Sequence, residues 1–337
     1  MSDATPVKLA VLGGGAWGTA LAIAYAKHFP VTLWVRDAAQ AAALAETRQN
    51  GRYLPGCAFP DQLTVTADLS AAMARPDAVL LVTPISGFRA TLQALRDLNF
   101  PLPPVFWACK GFEAETNLLP HQVVEQVLGK VPCGVISGPS FAKEVAAGQP
   151  TAVTLACADI ALAKHWAARL NLPRLRLYAT DDVIGVEVGG AVKNVLAIAA
   201  GVADGLGLGV NARAALITRG LAEMGRLAGK LGGRPETLTG LAGMGDLVLT
   251  ATGDLSRNRR VGLLLAEGQT LAQVLAALGH VAEGVPAAFE TERMATVLSI
   301  QMPITHAVCR LLRGECDAQA ALSELLSRAP GLEFAAS

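Results

Sequence analysis

Short, unbroken apolar runs punctuate the first half of the chain, each closing on glycine or a polar cluster. They are Val7–Leu12, Val31–Val35, Ala78–Thr83, Val105–Cys109, Val135–Ser137 and Ala152–Cys157, with Leu175–Tyr178 as a last member. Strands covered on both faces have this composition, whereas half-exposed strands alternate apolar with polar. Thr19–His28 and the Ala-rich Ala38–Arg48 lie between such runs and favour helix. Alternating strand and helix predicts an α/β fold with a doubly wound parallel sheet.

Beyond about Thr180 the pattern changes. Val183–Ala203, Ala212–Leu231, Arg259–Glu267, Leu271–Leu278, Ala287–Leu298, Ile304–Arg313 and Ala318–Leu326 all favour helix, with Gly, Pro or polar breaks between them. No comparable strand pattern returns. The expected organisation is a Rossmann-like dinucleotide-binding domain over 1–180 and an all-helical, substrate-binding domain over 181–337.

The first apolar run ends in Gly13-Gly14-Gly15-Ala16-Trp17-Gly18 and passes into a helix. This contains G-x-G-x-x-G at a strand–turn–helix junction. The turn is tight, the backbone must approach a pyrophosphate, and the helix must sit close to the strand. The helix N-terminus then offers N–H groups and a positive dipole end to the phosphates. Gly13, Gly15, Ala16, Trp17 and Gly18 are therefore candidate dinucleotide contacts. The second run ends Val35-Arg36-Asp37. An acid here would bind the ribose 2′-OH of NAD, and Arg36 would instead hold a 2′-phosphate. Arg36 favours NADP over NAD, although Asp37, one position late, keeps NAD open.

Several polar groups stand where a ligand would meet them. Lys110 follows Val105–Cys109, at the carboxyl end of a strand, where open α/β sheets bind ligands. Gly138 and Ser140 follow Val135–Ser137; Ser140 either meets a ligand or caps the next helix. Lys193 lies in a helix that is almost wholly apolar, Val188-Gly-Gly-Ala-Val-Lys-Asn-Val-Leu. Burying an ammonium costs several kcal/mol unless it is paired, and desolvation lowers its pKa towards the range of acid–base catalysis. The alternative is a lysine that snorkels to the surface. Asp246 follows Gly243-Met-Gly, as a ligand-facing carboxylate or an N-cap. Ser256-Arg257-Asn258-Arg259-Arg260 is the one dense basic cluster. A hydroxyl, a guanidinium and an amide at a helix N-terminus make a compact phosphate site.

Composition narrows the partners. Of 337 residues, 52% are hydrophobic and 17% charged, and Lys+Arg and Asp+Glu balance at 28 each, so a neutral chain has no global field for nucleic acid or an anionic membrane. The apolar stretch Val183–Val210 contains Glu187, Lys193, Asn194 and Asp204, which argues against a membrane span. The start MSDATPVKLAVLGGG lacks secretory-signal character. No cysteine pair or histidine has zinc-ligand spacing, so free thiols in a reducing cytoplasm and no metal are expected.

Longer strings carry a specific likeness. GGGAWGTALA, ACKGFE, ISGPSFAKEVAAGQPTAV, EVGGAVKNVLAIAAGVADGLGLGVNARAALITRGLAEM, GLAGMGDLVLTATGDLSRNRRVG and VAEGV run in order from about residue 10 to 285. In these the chain resembles the bacterial-type NAD(P)-dependent sn-glycerol-3-phosphate dehydrogenases. The resemblance implies interconversion of glycerol 3-phosphate and dihydroxyacetone phosphate, supplying phospholipid headgroup precursors. It implies Lys193 as proton donor and acceptor. It places Lys110, Gly138, Ser140, Lys193, Asp246, Ser256, Arg257 and Asn258 at a phosphotriose substrate. It places Trp17, Arg36, Lys110, Ala142, Arg257, Val281 and Glu283 at the dinucleotide. Ala251 departs from a cysteine common in the family, and the Pro-Ala-Ala-Phe after Val285 departs from a more polar segment. The partner expected is thus a small phosphotriose, with a homodimer as the assembly to consider. The rival readings are a β-hydroxyacid or 6-phosphogluconate-type dehydrogenase and a non-catalytic NADP-sensing protein.

Overall fold

Every apolar run of the first half forms a strand in the computed structural model, which describes residues 7–278 and 282–327. Chain order is β1 (Leu9–Leu12), α1 (Ala16–Ala26), β2 (Val31–Trp34), α2 (Ala38–Thr47), a hairpin of β3 (Gln49–Asn50) and β4 (Leu54–Ala58), β5 (Leu63–Thr66), and α3 (Leu69–Ala72). It continues through β6 (Ala78–Leu81), α4 (Ile85–Asp97), β7 (Val105–Trp107), α5 (Pro120–Leu128), β8 (Cys133–Ser137), α6 (Ala142–Ala146), β9 (Thr151–Ala156), α7 (Ile160–Leu170) and β10 (Leu175–Thr180). The second half supplies α8 (Val183–Gly205), α9 (Gly209–Leu231), α10 (Pro235–Thr239), a π-helical turn (Leu241–Gly245), α11 (Asp246–Thr252), α12 (Arg257–Ala266), α13 (Leu271–Leu278), α14 (Gly284–Val297), α15 (Pro303–Arg313) and α16 (Ala318–Leu326). The chain divides into two compact units inside α8: unit one ends at Ala191 and also takes Ala228–Asp246, and unit two takes Val192–Leu227 and the chain from Leu247 onward.

Unit one is built on an eight-stranded sheet of order β10-β9-β8-β7-β6-β1-β2-β5. The expected doubly wound parallel sheet is present, with one pair, β8 and β9, running antiparallel, Val135 opposite Ala156 and Ser137 opposite Thr154. The short link through α6 lets the chain turn back rather than cross the sheet, and an unbroken apolar run carries no information on strand direction. Strand β5 went unforeseen because Leu-Thr-Val-Thr is an edge strand with half its side chains wet.

Alternate residues of each central strand face opposite ways. Leu9, Val11, Leu33, Leu80, Phe106 and Ile136 lie against α1 and α7 through Leu21, Ile23 and Trp166. Ala10, Leu12, Val79, Leu81, Val105 and Trp107 lie against α4 and α5 through Phe88, Leu92, Val123 and Val124. Strand β1 sits between β2 and β6, so chain direction across the sheet reverses beside it. In open α/β sheets ligands bind at the carboxyl ends of the strands flanking such a switch point, here β1 and β6.

In unit two, α8 and α12 meet backbone to backbone. A Cβ on Gly201 would lie 1.9 Å from the Arg259 carbonyl oxygen, and one on Gly262 would lie 2.0 Å from that of Ile198. The buried Glu223 of α9 accepts from the backbone N–H groups of Ile304 and Thr305 at 2.6 and 3.1 Å, placing a carboxylate at the positive end of α15. By length and composition α8 matches a membrane span, yet 89% of its most apolar window is buried within the protein. All six cysteines are free thiols.

Candidate active site

In unit one the glycine turn follows β1. Gly13 has φ +127°, and a Cβ there would lie 2.6 Å from the Val82 carbonyl oxygen of the neighbouring strand end. A Cβ on Gly18 would lie 2.0 Å from the Gly13 carbonyl oxygen. Gly15 is the N-cap of α1, provides no side-chain cap, and has open space where a Cβ would project. A ligand phosphate can therefore reach the free N–H groups from Ala16 onward. Trp17 packs partly buried on the sheet core. Asn50, fully buried, donates to the Gly14 carbonyl at 3.0 Å and to the Thr19 hydroxyl at 2.8 Å, bracing the turn from outside the motif. Sequence reading missed Asn50 because it sits in a hairpin without a local signature. The Thr83 hydroxyl, past β6, is buried without a hydrogen-bond partner among the described residues. Arg36 is exposed just after β2, while Asp37 caps α2 by accepting from Gln40 N–H at 2.7 Å. The ring of features fits a dinucleotide: open N–H groups, a close backbone and an available guanidinium.

Unit one also holds Lys110 and Asp246. Lys110 Nζ donates to the Asp246 carboxylate at 2.5 Å, and the Asp246 side chain is only 1% exposed. Gly190 of α8 lies beside them, since its Cβ would be 3.1 Å from Ser137 Oγ and 3.4 Å from Lys110 Cγ. Ser137 Oγ is buried and lacks a hydrogen-bond partner among the described residues. Gly138 takes φ +145° at the strand end. Ser140 donates to the Gly138 carbonyl at 2.9 Å and does not cap α6, whose N-cap is Phe141 and whose first residue is Ala142; the capping reading fails.

In unit two Lys193 is 7% exposed, so it does not snorkel. Its Nζ donates to the Thr250 hydroxyl at 3.0 Å. The next residue, Asn194, accepts from Asn258 Nδ2 at 2.9 Å, and Asn258 Oδ1 accepts from Gly284 N–H at 3.0 Å. Asn194 Nδ2 remains a buried donor with no hydrogen-bond partner among the described residues. Ser256 caps α12, accepting from Arg259 N–H at 3.2 Å. Arg259 turns to Asp204 and Asp254, whereas Arg257 is exposed and makes no ion pair among the described residues. Glu283 is the N-cap of α14, and Val281 lies outside the described residues. Sequence reading singled out neither Thr250 nor Ser137. A lone hydroxyl in an apolar helix or strand end was the available signal, and alone it is weak.

Known proteins match this chain over nearly its whole length. Residues 8–163 match the family model of the NAD-dependent glycerol-3-phosphate dehydrogenase N-terminus, and residues 182–323 match that of its C-terminus. The glycerol-3-phosphate dehydrogenase (NAD(P)+) of Aromatoleum aromaticum is 57% identical over 97% of this chain and all of its own length. That of Dechloromonas aromatica is 55% identical over 98% of this chain and all of its own. A crystal structure of glycerol-3-phosphate dehydrogenase from Coxiella burnetii superposes with TM-score 0.92 at 45% identity, covering 96% of this chain and 99% of its own.

Proposed function

Because the chain belongs to the NAD-dependent glycerol-3-phosphate dehydrogenase family, we propose that it interconverts sn-glycerol 3-phosphate and dihydroxyacetone phosphate with Lys193 as its acid–base group. It is an oxidoreductase acting on a CH–OH group with NAD or NADP, and phospholipid synthesis is the usual context for this activity. Family membership sets aside the hydroxyacid-dehydrogenase and sensor readings.

The observation that carries the proposal is the buried ammonium of Lys193 on the Thr250 hydroxyl. Burial of this amine beside a hydroxyl is the kind of environment that tunes a lysine for acid–base work. When bound, the dinucleotide supplies the hydride to C2 of the ketone, or accepts it from the alcohol. Gly13, Gly15, Ala16, Trp17 and Gly18 hold its pyrophosphate end, and Arg36 its 2′-phosphate, which makes NADP the preferred form. Ala142, Glu283 and Val281 are further contacts proposed for it. Lys193 gives its proton to the C2 oxygen during reduction and recovers it during oxidation. Thr250 orients the ammonium through its hydroxyl. Ser256, Arg257 and Asn258 grip the phosphoryl group at the N-terminus of α12. The phosphate thereby positions the carbonyl for transfer. Lys110, Asp246, Gly138 and Ser140 complete the substrate contacts. We propose the helical region from 181 onward as the substrate-binding domain and 1–180 as the dinucleotide-binding one. The working location is the cytoplasm, with no nucleic-acid or membrane partner and a homodimer as the assembly to test.

The test is a nicotinamide absorbance assay with dihydroxyacetone phosphate, NADPH against NADH, beside a panel of 3-hydroxyacids. Turnover only with the hydroxyacids would overturn the assignment.

A further inference from the structure

A buried carboxylate in unit one has no part in the mechanism above. Glu187 of α8 is 4% exposed. Its Oε1 accepts from the Trp107 indole N–H and from the His121 backbone N–H, both at 2.9 Å. Its Oε2 lies 2.5 Å from His121 Nδ1. Trp107 is the last residue of β7, buried edge-on against Phe88, and His121 sits in the first turn of α5. Three donors from two elements thus converge on one side chain of α8.

Stability alone is a poor reason for this arrangement. Desolvating a carboxylate costs about as much as its partners return, and an apolar residue of similar volume commonly does as well or better. What a carboxylate adds is direction, because each oxygen is held at a fixed point on a different element. Trp107 lies three residues before Lys110, and Glu187 lies six before Lys193. Six residues advance a helix by about 9 Å and turn it by roughly 240°. A rotation at Glu187 therefore carries Lys193 round by the same angle. Gly189, between them, leaves no slack: a Cβ there would lie 2.6 Å from the Ala242 carbonyl oxygen.

We propose that Glu187 is a positioning residue for Lys193, fixing the rotation and axial setting of α8 through Trp107 and His121. The inference rests on the reading of Lys193 as the proton donor. The titratable groups facing the cluster are His121, Glu125 and Cys133. Burial pulls the His121 imidazole down, but the Glu187 carboxylate outweighs it and holds it above its ordinary value. Burial, with the charges of Glu187 and Glu125, pushes the Cys133 thiol up to about 11, so it stays neutral.

The experiment compares full-length wild type, Glu187→Leu, Glu187→Gln, Trp107→Phe and Lys193→Ala. It measures kcat, the NADPH Kd and the pH profile of kcat for dihydroxyacetone phosphate reduction. Glu187→Leu should lower kcat about tenfold or more with NADPH Kd within about twofold. It should also move the alkaline limb of the profile by about half a unit or more, a shift that mere loss of stability does not produce. Glu187→Gln keeps a carbonyl oxygen for the two N–H donors and should recover kcat to within about threefold. Trp107→Phe removes one donor and leaves a smaller aromatic ring in its place; a roughly threefold or greater fall in kcat is expected. A folded Glu187→Leu with wild-type kcat and profile overturns the proposal. Should that variant not fold, Trp107→Phe with wild-type kcat and profile overturns it instead. Near-normal turnover in Lys193→Ala would sink the underlying reading of Lys193, a separate failure.

Discussion

Lys193 Nζ lies 3.0 Å from the Thr250 hydroxyl, and both side chains are buried in unit two. A hydrogen bond to a charged group is worth about 1.5–3 kcal/mol. Replacing the hydroxyl by a methyl of the same shape should therefore leave the fold intact and disturb the amine. Thr250→Val is expected to lower kcat roughly tenfold or more with a small change in Tm, and Thr250→Ser to restore most of it. Steady-state kinetics and a thermal melt on the same preparations check this.

Lys193→Ala removes the proton donor itself. A fall in kcat of at least about 100-fold with NADPH affinity unchanged is expected. NADPH titration by fluorescence, run beside turnover assays, separates the two readouts. A variant that turns over at close to the normal rate rejects the assignment.

Arg36 is exposed at the end of β2 and Asp37 is committed to capping α2. Loss of one charge-assisted contact to a 2′-phosphate should raise the KM for NADPH in Arg36→Ala about tenfold, with NADH changed less than about twofold. Equal effects on both dinucleotides would mean that Arg36 does not read the 2′-phosphate.

Gly18→Ala forces a Cβ to within 2.0 Å of the Gly13 carbonyl oxygen. The turn must open, because the obstructing atom is backbone. NADPH binding should weaken by at least about 100-fold and Tm should fall, whereas Gly15→Ala, with open space at its Cβ, should leave Tm unchanged. Isothermal titration and melts of the two variants decide the matter.

His121 titrates above its ordinary value in the folded protein because Glu187 outweighs its burial. A raised folded pKa stabilises the native state fully below the unfolded value and loses that contribution as pH rises through the folded one. The histidine therefore favours the fold at about pH 6 and contributes less at about pH 8.5. The expected drop in Tm over that window is a few degrees at most, since the ring is 27% exposed. His121→Gln should flatten it, as measured by melts across the window; an unchanged slope would assign the dependence elsewhere.

Much of the candidate site was legible because the chemistry proposed for it demands rare residue types in rare places. An ammonium in an apolar helix, glycines at a strand end and a basic cluster at a helix start each violate the local norm, and each marked a real feature of the structure. The residues that escaped are ordinary in sequence. Asn50 and Thr250 gain meaning only from the Gly14 carbonyl and the Lys193 amine that the fold brings to them. Of the two roles open to Ser140, the helix cap fails, because the chain extends one residue further before α6 begins and the hydroxyl bonds the Gly138 carbonyl.

The sequence by itself determined the layered α/β plan, the helical second half and the glycine turn, because periodicity and glycine placement act over neighbouring residues. Only the tertiary structure decided that β8 and β9 run antiparallel, that Asp246 pairs with Lys110 across 136 residues of chain, and that Glu187 meets Trp107 and His121. Strand direction and side-chain partners depend on which distant segments share a buried space. That choice is set by packing and desolvation over the whole core, not by any local pattern.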